Sequence, residues 1–188
     1  MPEPERSPEA SLHGVLVDVF GVGILLVGES GSGKSECALD LVSRGHRLVA
    51  DDVVEVAGDG RGGVLGWGPA RLGHHMEIRG LGIIDVQALF GVAATRGEKR
   101  IGLVLQLEPW NPGAAYDRLG LEEERFSILG ASLPLRRIPI SAGRNLAILV
   151  EVAARSHLLH RMGVHAARAF TARMAPAPGP RSYPQDSP

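Results

Sequence analysis

The octapeptide Gly28-Glu29-Ser30-Gly31-Ser32-Gly33-Lys34-Ser35 constrains this chain more than any other stretch. It satisfies G-x-x-x-x-G-K-[ST] without a mismatch. The apolar run Gly23-Ile24-Leu25-Leu26-Val27 precedes it, and the helical pattern Glu36-Cys37-Ala38-Leu39-Asp40-Leu41-Val42 follows. A strand, a glycine loop and a helix in that order let backbone N–H groups close round phosphate oxygens. Lys34 then reaches the β/γ-phosphates and Ser35 holds Mg²⁺, while the helix N-terminus adds partial positive charge beneath the phosphates. Lys34 and Lys99 are the only lysines, so the match is not a by-product of lysine-rich composition.

The 188 residues are sized for one domain, and 44% hydrophobic content supplies a core. A net charge of −1 gives no general basic surface for nucleic acid. The single cysteine, Cys37, rules out a disulfide within the chain and fits a reducing compartment. No apolar run reaches the length of a membrane span; the longest candidate, Asn145 to Leu159, is interrupted by Glu151 and Arg155. The chain reads as a soluble cytoplasmic protein that binds neither nucleic acid nor membrane.

Residues 1–10 read as a disordered leader and the proline-rich residues 175–188 as a disordered tail, leaving 11–174 as the folded domain. Leu12 to Val19 reads as one strand, with Gly21 and Gly23 turning the chain into the strand before the glycine loop. His46 to Ala50, Val53 to Ala57 and Ile101 to Leu107 read as further strands, and Ser127 to Ile140 as short ones. Asp85 to Phe90 reads as a short helix. Longer helices are expected from Gly143-Arg144-Asn145 to about Met162 and from His165 to Met174. Strands alternating with helices predict an α/β fold, a P-loop NTPase-like mixed sheet flanked by helices.

A glycine loop implies a nucleotide but no particular reaction. Asp51-Asp52 lies at the carboxyl end of a strand, where α/β sheets bind ligands. The pair is either a turn former or a metal-and-base pair, and adjacent side chains tend to point different ways. Glu77, in His74-His75-Met76-Glu77-Ile78-Arg79-Gly80, is an oxygen ligand suited to Mg²⁺. The two histidines lack the partner spacing of a zinc site. His13 and Arg118 are each open to a structural or a phosphate-facing role.

In combination, several segments are similar to the bacterial HPr kinase/phosphorylase family over about His13 to Ala167. They are His13–Asp18, the glycine loop with Glu36, Gly45–Asp52, Glu77–Val86, Tyr116–Gly120, Gly143–Ala147 and Arg161–Gly163. The resemblance implies a fold related to the nucleotide-binding domain of phosphoenolpyruvate carboxykinase. It implies serine phosphorylation of the phosphocarrier HPr with ATP and Mg²⁺, and a phosphate-dependent reversal that releases pyrophosphate. It makes Asp52 the proton acceptor, His13, Lys34 and Arg118 catalytic, and Ser35 and Glu77 the Mg²⁺ ligands. Asp51, Arg79, Gly80 and Arg144 fall in the matching motifs as supporting residues, and hexamers are implied. Two departures stand out. His13 lies so near the start that a short form without the family's N-terminal domain is expected. At Pro139-Ile140-Ser141-Ala142-Gly143-Arg144, Ser141 and Ala142 replace an arginine and a proline tied to dephosphorylation. The rival readings are a paralogous kinase acting on another protein or small molecule, and a non-catalytic nucleotide sensor.

Overall fold

The structure is a computed structural model and describes residues 7–113, 123–141 and 143–174. The chain opens with β1 (Ala10–His13), β2 (Val15–Val19) and β3 (Val22–Gly28), followed by α1 (Lys34–Ser43). Then come β4 (Arg47–Ala50), β5 (Val53–Gly58), β6 (Val64–Trp67), β7 (His75–Ile78), β8 (Gly82–Asp85) and α2 (Val86–Phe90). The described remainder is β9 (Glu98–Pro109), β10 (Glu124–Ile128), β11 (Ala131–Ile140), α3 (Leu146–Arg161) and α4 (Ala166–Met174).

The main sheet runs β1-β5-β6-β9-β3-β2-β4, with β11 and β10 attached through β9. It is mixed: β3–β9 and β9–β11 are parallel and the other pairs antiparallel. The expected α/β sheet flanked by helices is therefore present. The alternating residues of β2 explain its two buried faces. Val15, Val17 and Val19 join the cluster under α1 and α3, with Ile24, Leu41, Leu105 and Val150. Leu16 points into the other cluster, with Leu25, Val54, Ile101 and Val104. Cys37 belongs to the helix-side cluster, and burial pushes its thiol up to about 12.

Several boundaries differ from the expectation. The single strand Leu12–Val19 is two, broken at Gly14, whose N–H donates to the Asp52 carbonyl at 3.0 Å. A Cβ on Gly14 would stand 2.6 Å from the Leu26 carbonyl oxygen, so only glycine lets the chain step between pairing partners. Pairing also begins before residue 11: Ala10 opposes Val56, and the Glu9 N–H donates to the Val56 carbonyl. The β2–β3 turn is Phe20-Gly21, both at positive φ (51° and 83°), while Gly23 lies inside β3. α3 starts where expected, because the Asn145 side chain accepts from the Ile148 N–H and caps it. The proline-rich residues 175–188 lie outside the described residues.

Candidate functional site

The site forms where β3 ends in the glycine loop. Gly31 (φ 80°) and Gly33 (φ 86°) take left-handed conformations, which turn the loop into α1 without steric cost. The first helical bond is Cys37 N–H to the Gly33 carbonyl, at 2.9 Å. The earlier N–H groups of α1 therefore have no helical acceptor and are available to an anion. Lys34 is only 6% exposed. Its ammonium donates to the carbonyls of Gly28 and Glu29, both at 2.9 Å, with Ser32 Oγ at 3.5 Å. Burial lowers the Lys34 amine from its usual value, while Asp51, Asp52 and Glu36 pull it back up.

The adjacent aspartates diverge. Asp51 turns inward and accepts a 2.8 Å hydrogen bond from Ser35 Oγ. Burial raises its carboxyl above the ordinary range, with the Ser35 bond opposing. Asp52, at φ 65°, turns outward and is 68% exposed. His13 Nδ1 lies 3.1 Å from both the Asp52 carbonyl and Asp52 Oδ1. This contact follows from β1–β5 pairing, which sets His13 opposite Val53.

The β7–β8 hairpin forms the facing wall. Strand alternation buries Met76 and Ile78 and exposes His75 and Glu77. Glu77 lies opposite Ile83 in the register. Arg79 projects over the glycine loop, its Nη2 3.6 Å from where a Cβ on Gly31 would be. Together these walls enclose a cleft of about 360 Å³.

The cleft brings together His13, Ser30, Gly31, Gly33, Lys34 and Ser35 from the sequence-derived set, with Asp51, Asp52, Glu77 and Arg79. Gly28, Glu29 and Ser32 lie behind it, as partners of Lys34. Gly80 serves the hairpin turn at φ 88°, and Arg144 donates to the Pro139 carbonyl at 2.6 Å; neither lines the cleft. Arg118 and Ala142 lie outside the described residues. Sequence reasoning did not place Val15, Leu72, His75, Met76 and Ile83 in the lining, nor Glu36 as a site residue. The period-two pattern of β7 could have grouped His75 with Glu77; nothing local marks Leu72. His74 points elsewhere, near the Arg96 carbonyl and the Gln87 amide, so the two histidines do not share a ligand.

The donor set is chemically coherent. The Ser35 hydroxyl and the Asp51 and Glu77 carboxylates are hard oxygen donors, which suits Mg²⁺. The helix start, Lys34 and Arg79 suit phosphate oxygens.

Strand, glycine loop and helix, faced by a carboxylate pair at a strand end, define a P-loop domain. The family model "HPr Serine kinase C-terminal domain" matches residues 5–174, and the chain belongs to that family. Curated relatives called "HPr kinase/phosphorylase" include one from Geobacillus sp. (strain WCH70), 55% identical over 175 residues, covering 93% of this chain and 56% of that protein. Another, from Bacillus subtilis (strain 168), is 51% identical over 173 residues, covering 92% and 56% respectively. The chain thus spans about half the length of the curated relatives it matches. The solved "Hpr(Ser) kinase/phosphatase from Coxiella burnetii" superposes with a TM-score of 0.77 at 30% identity, covering 90% of this chain and all of that one.

Proposed function

We propose that this domain transfers the γ-phosphoryl group of ATP to a serine hydroxyl of HPr. The observation that carries the reading is the convergence of Lys34, Ser35, Asp51, Asp52, Glu77 and Arg79 on one cleft, in a chain of this family. The glycine loop and the start of α1 hold the triphosphate. Lys34 exchanges the Gly28 and Glu29 carbonyls for phosphate oxygens, and Arg79 adds charge from the opposite wall. Ser35, Asp51 and Glu77 would hold Mg²⁺, which supplies charge neutralisation on the phosphates.

Asp52 is exposed beside the loop and accepts the serine proton as the oxygen attacks phosphorus and the γ-phosphoryl bond to ADP breaks. His13 fixes the Asp52 carboxylate through the contact at Nδ1. By family resemblance Arg118 also contacts the transferring group. In the reverse direction, inorganic phosphate attacks phosphoserine, the serine oxygen leaves with the proton from Asp52, and pyrophosphate forms. Ser141 and Ala142, in place of arginine and proline, bias the enzyme toward the kinase direction. A cytoplasmic setting and a hexamer belong to this reading by family resemblance; no helix among the described residues is long and apolar enough to cross a membrane.

The test is incubation with ATP, Mg²⁺ and HPr from the same host, beside total cell extract, with phosphosites mapped by mass spectrometry. Phosphoserine on HPr supports the reading. Label on another protein with HPr untouched replaces HPr by a different substrate, and no label anywhere favours a nucleotide sensor.

A further inference from the structure

A second polar site lies at the other end of the sheet. β3 runs from Val22 at that end to Gly28 at the glycine loop, a separation of about 20 Å. Two recesses of about 550 Å³ and 380 Å³ meet there and share Gly21, Arg96 and Lys99. Asp18, at the end of β2, organises them. It is only 6% exposed, yet a single oxygen, Oδ2, carries both Lys99 Nζ at 3.0 Å and Arg96 Nη1 at 3.1 Å. Its other oxygen, Oδ1, is buried and has no hydrogen-bond partner among the described residues.

Two cations on one carboxylate leave a local excess of positive charge. Lys99 keeps further ammonium donors, and Arg96, whose Nε is spent on the Glu98 carbonyl at 3.0 Å, keeps a further guanidinium nitrogen. Both side chains are anchored, so an anion would meet donors already ordered. Arg47, cross-strand from Asp18, and Arg161 line the recesses and have no ion-pair partner among the described residues. In a chain of net charge −1, this concentration of cations is local rather than general.

We propose that Lys99 and Arg96, anchored by Asp18 and supported by Arg47, form an oxyanion site of the phosphate class, separate from the glycine loop. The larger recess has room for the organic part of a phosphomonoester beside neutral glycine backbone at Gly23 and Gly102. Free phosphate and a phosphomonoester present the same group to the cations.

The test is calorimetric titration of inorganic phosphate, and separately of glycerol 3-phosphate, without nucleotide or Mg²⁺ and at fixed ionic strength. The proteins are the full chain and its Lys34→Ala, Arg96→Gln and Arg47→Gln variants. The site should survive Lys34→Ala, weaken about tenfold or more in Arg96→Gln, and weaken less in Arg47→Gln. Arg96→Gln keeps the Lys99–Asp18 pair; if it still fails to fold, Arg47→Gln, which breaks no ion pair, carries the comparison. Tighter binding of glycerol 3-phosphate identifies a phosphomonoester ligand, and tighter binding of phosphate identifies the free ion. Either result stands with the site. Binding that disappears in Lys34→Ala and is unchanged in both arginine variants overturns it, as does a full chain that binds neither probe.

Discussion

His13 Nδ1 stands 3.1 Å from Asp52 Oδ1 across 39 residues of sequence: His13 ends β1, and Asp52 immediately precedes β5, the strand that pairs with β1 at the rim of the cleft. The contact fixes a carboxylate that is otherwise 68% exposed and held at a positive φ. Asp52→Asn keeps the shape and cannot take a proton, so transfer to serine should fall by about 10²–10⁴-fold with ATP binding retained. His13→Ala removes only the positioning contact and should cost less. Rates of phosphoserine formation beside nucleotide affinity check this; a larger loss in Asp51→Asn than in Asp52→Asn would reverse the roles within the pair.

The Lys34 ammonium sits on loop carbonyls at 2.9 Å, in the place where phosphate oxygens bind in the proposed complex. Lys34→Met should leave the melting temperature within a few degrees of wild type, because burial already disfavours the charge. Transfer should drop by about 10²–10³-fold, from loss of a donor to the transferring group. Circular dichroism melts paired with turnover separate the two effects. A Met variant with wild-type turnover contradicts the assignment.

Much of this was legible in the sequence, for local reasons. The glycine loop, the helix after it and the Asn145 cap are short-range patterns, and they place Lys34, Ser35 and α3 directly. The Asp51-Asp52 pair was legible as carboxylates at a strand end, but the different environments the two meet in the cleft depend on the backbone: Asp52 takes φ 65° and is exposed, whereas Asp51 is held by Ser35. β9 runs from Glu98 rather than Ile101, because its charged start pairs with β6, a partner that no local apolar pattern reveals. Where short strands are expected over Ser127 to Ile140, β11 is one ten-residue strand that runs through Pro134 and Pro139, held by antiparallel pairing to β10 and parallel pairing to β9. Leu72 and Ile83 reach the cleft only through the tertiary position of the β7–β8 hairpin.

Asp51 also makes stability depend on pH. Burial raises its carboxyl above 3.8, so the native state binds a proton that the unfolded chain has released. The contribution of this group to stability therefore falls as pH rises from 3.8 to the elevated native value. Asp51→Asn removes that slope, so the melting temperature of the variant should gain on wild type as pH rises through that window. The same variant should need more Mg²⁺ for transfer, since Ser35 loses its charged partner. Melting temperatures across the acid range decide it; a difference that does not vary with pH contradicts the burial argument.

Gly14 joins the site to the core. Gly14→Ala would drive a Cβ to 2.6 Å from the Leu26 carbonyl oxygen, which cannot move without disturbing β3. A loss of about 2–4 kcal/mol is expected, lowering the melting temperature by roughly 4–16 °C. His13 should shift with the backbone, so transfer should fall in the folded fraction as well. A variant as stable and as active as wild type would mean that the strand break tolerates a side chain.

The most direct measurement of the central claim is single-turnover phosphoryl transfer from labelled ATP, with Mg²⁺, to HPr of the same host. It compares the wild-type chain with Asp52→Asn, and normal HPr with HPr lacking its target serine. The account predicts labelled phosphoserine on normal HPr with the wild-type chain, and almost none in the two other arms despite bound ATP. Transfer that persists in Asp52→Asn at the wild-type rate, or no transfer to HPr from a chain that binds Mg²⁺ and ATP, would contradict it.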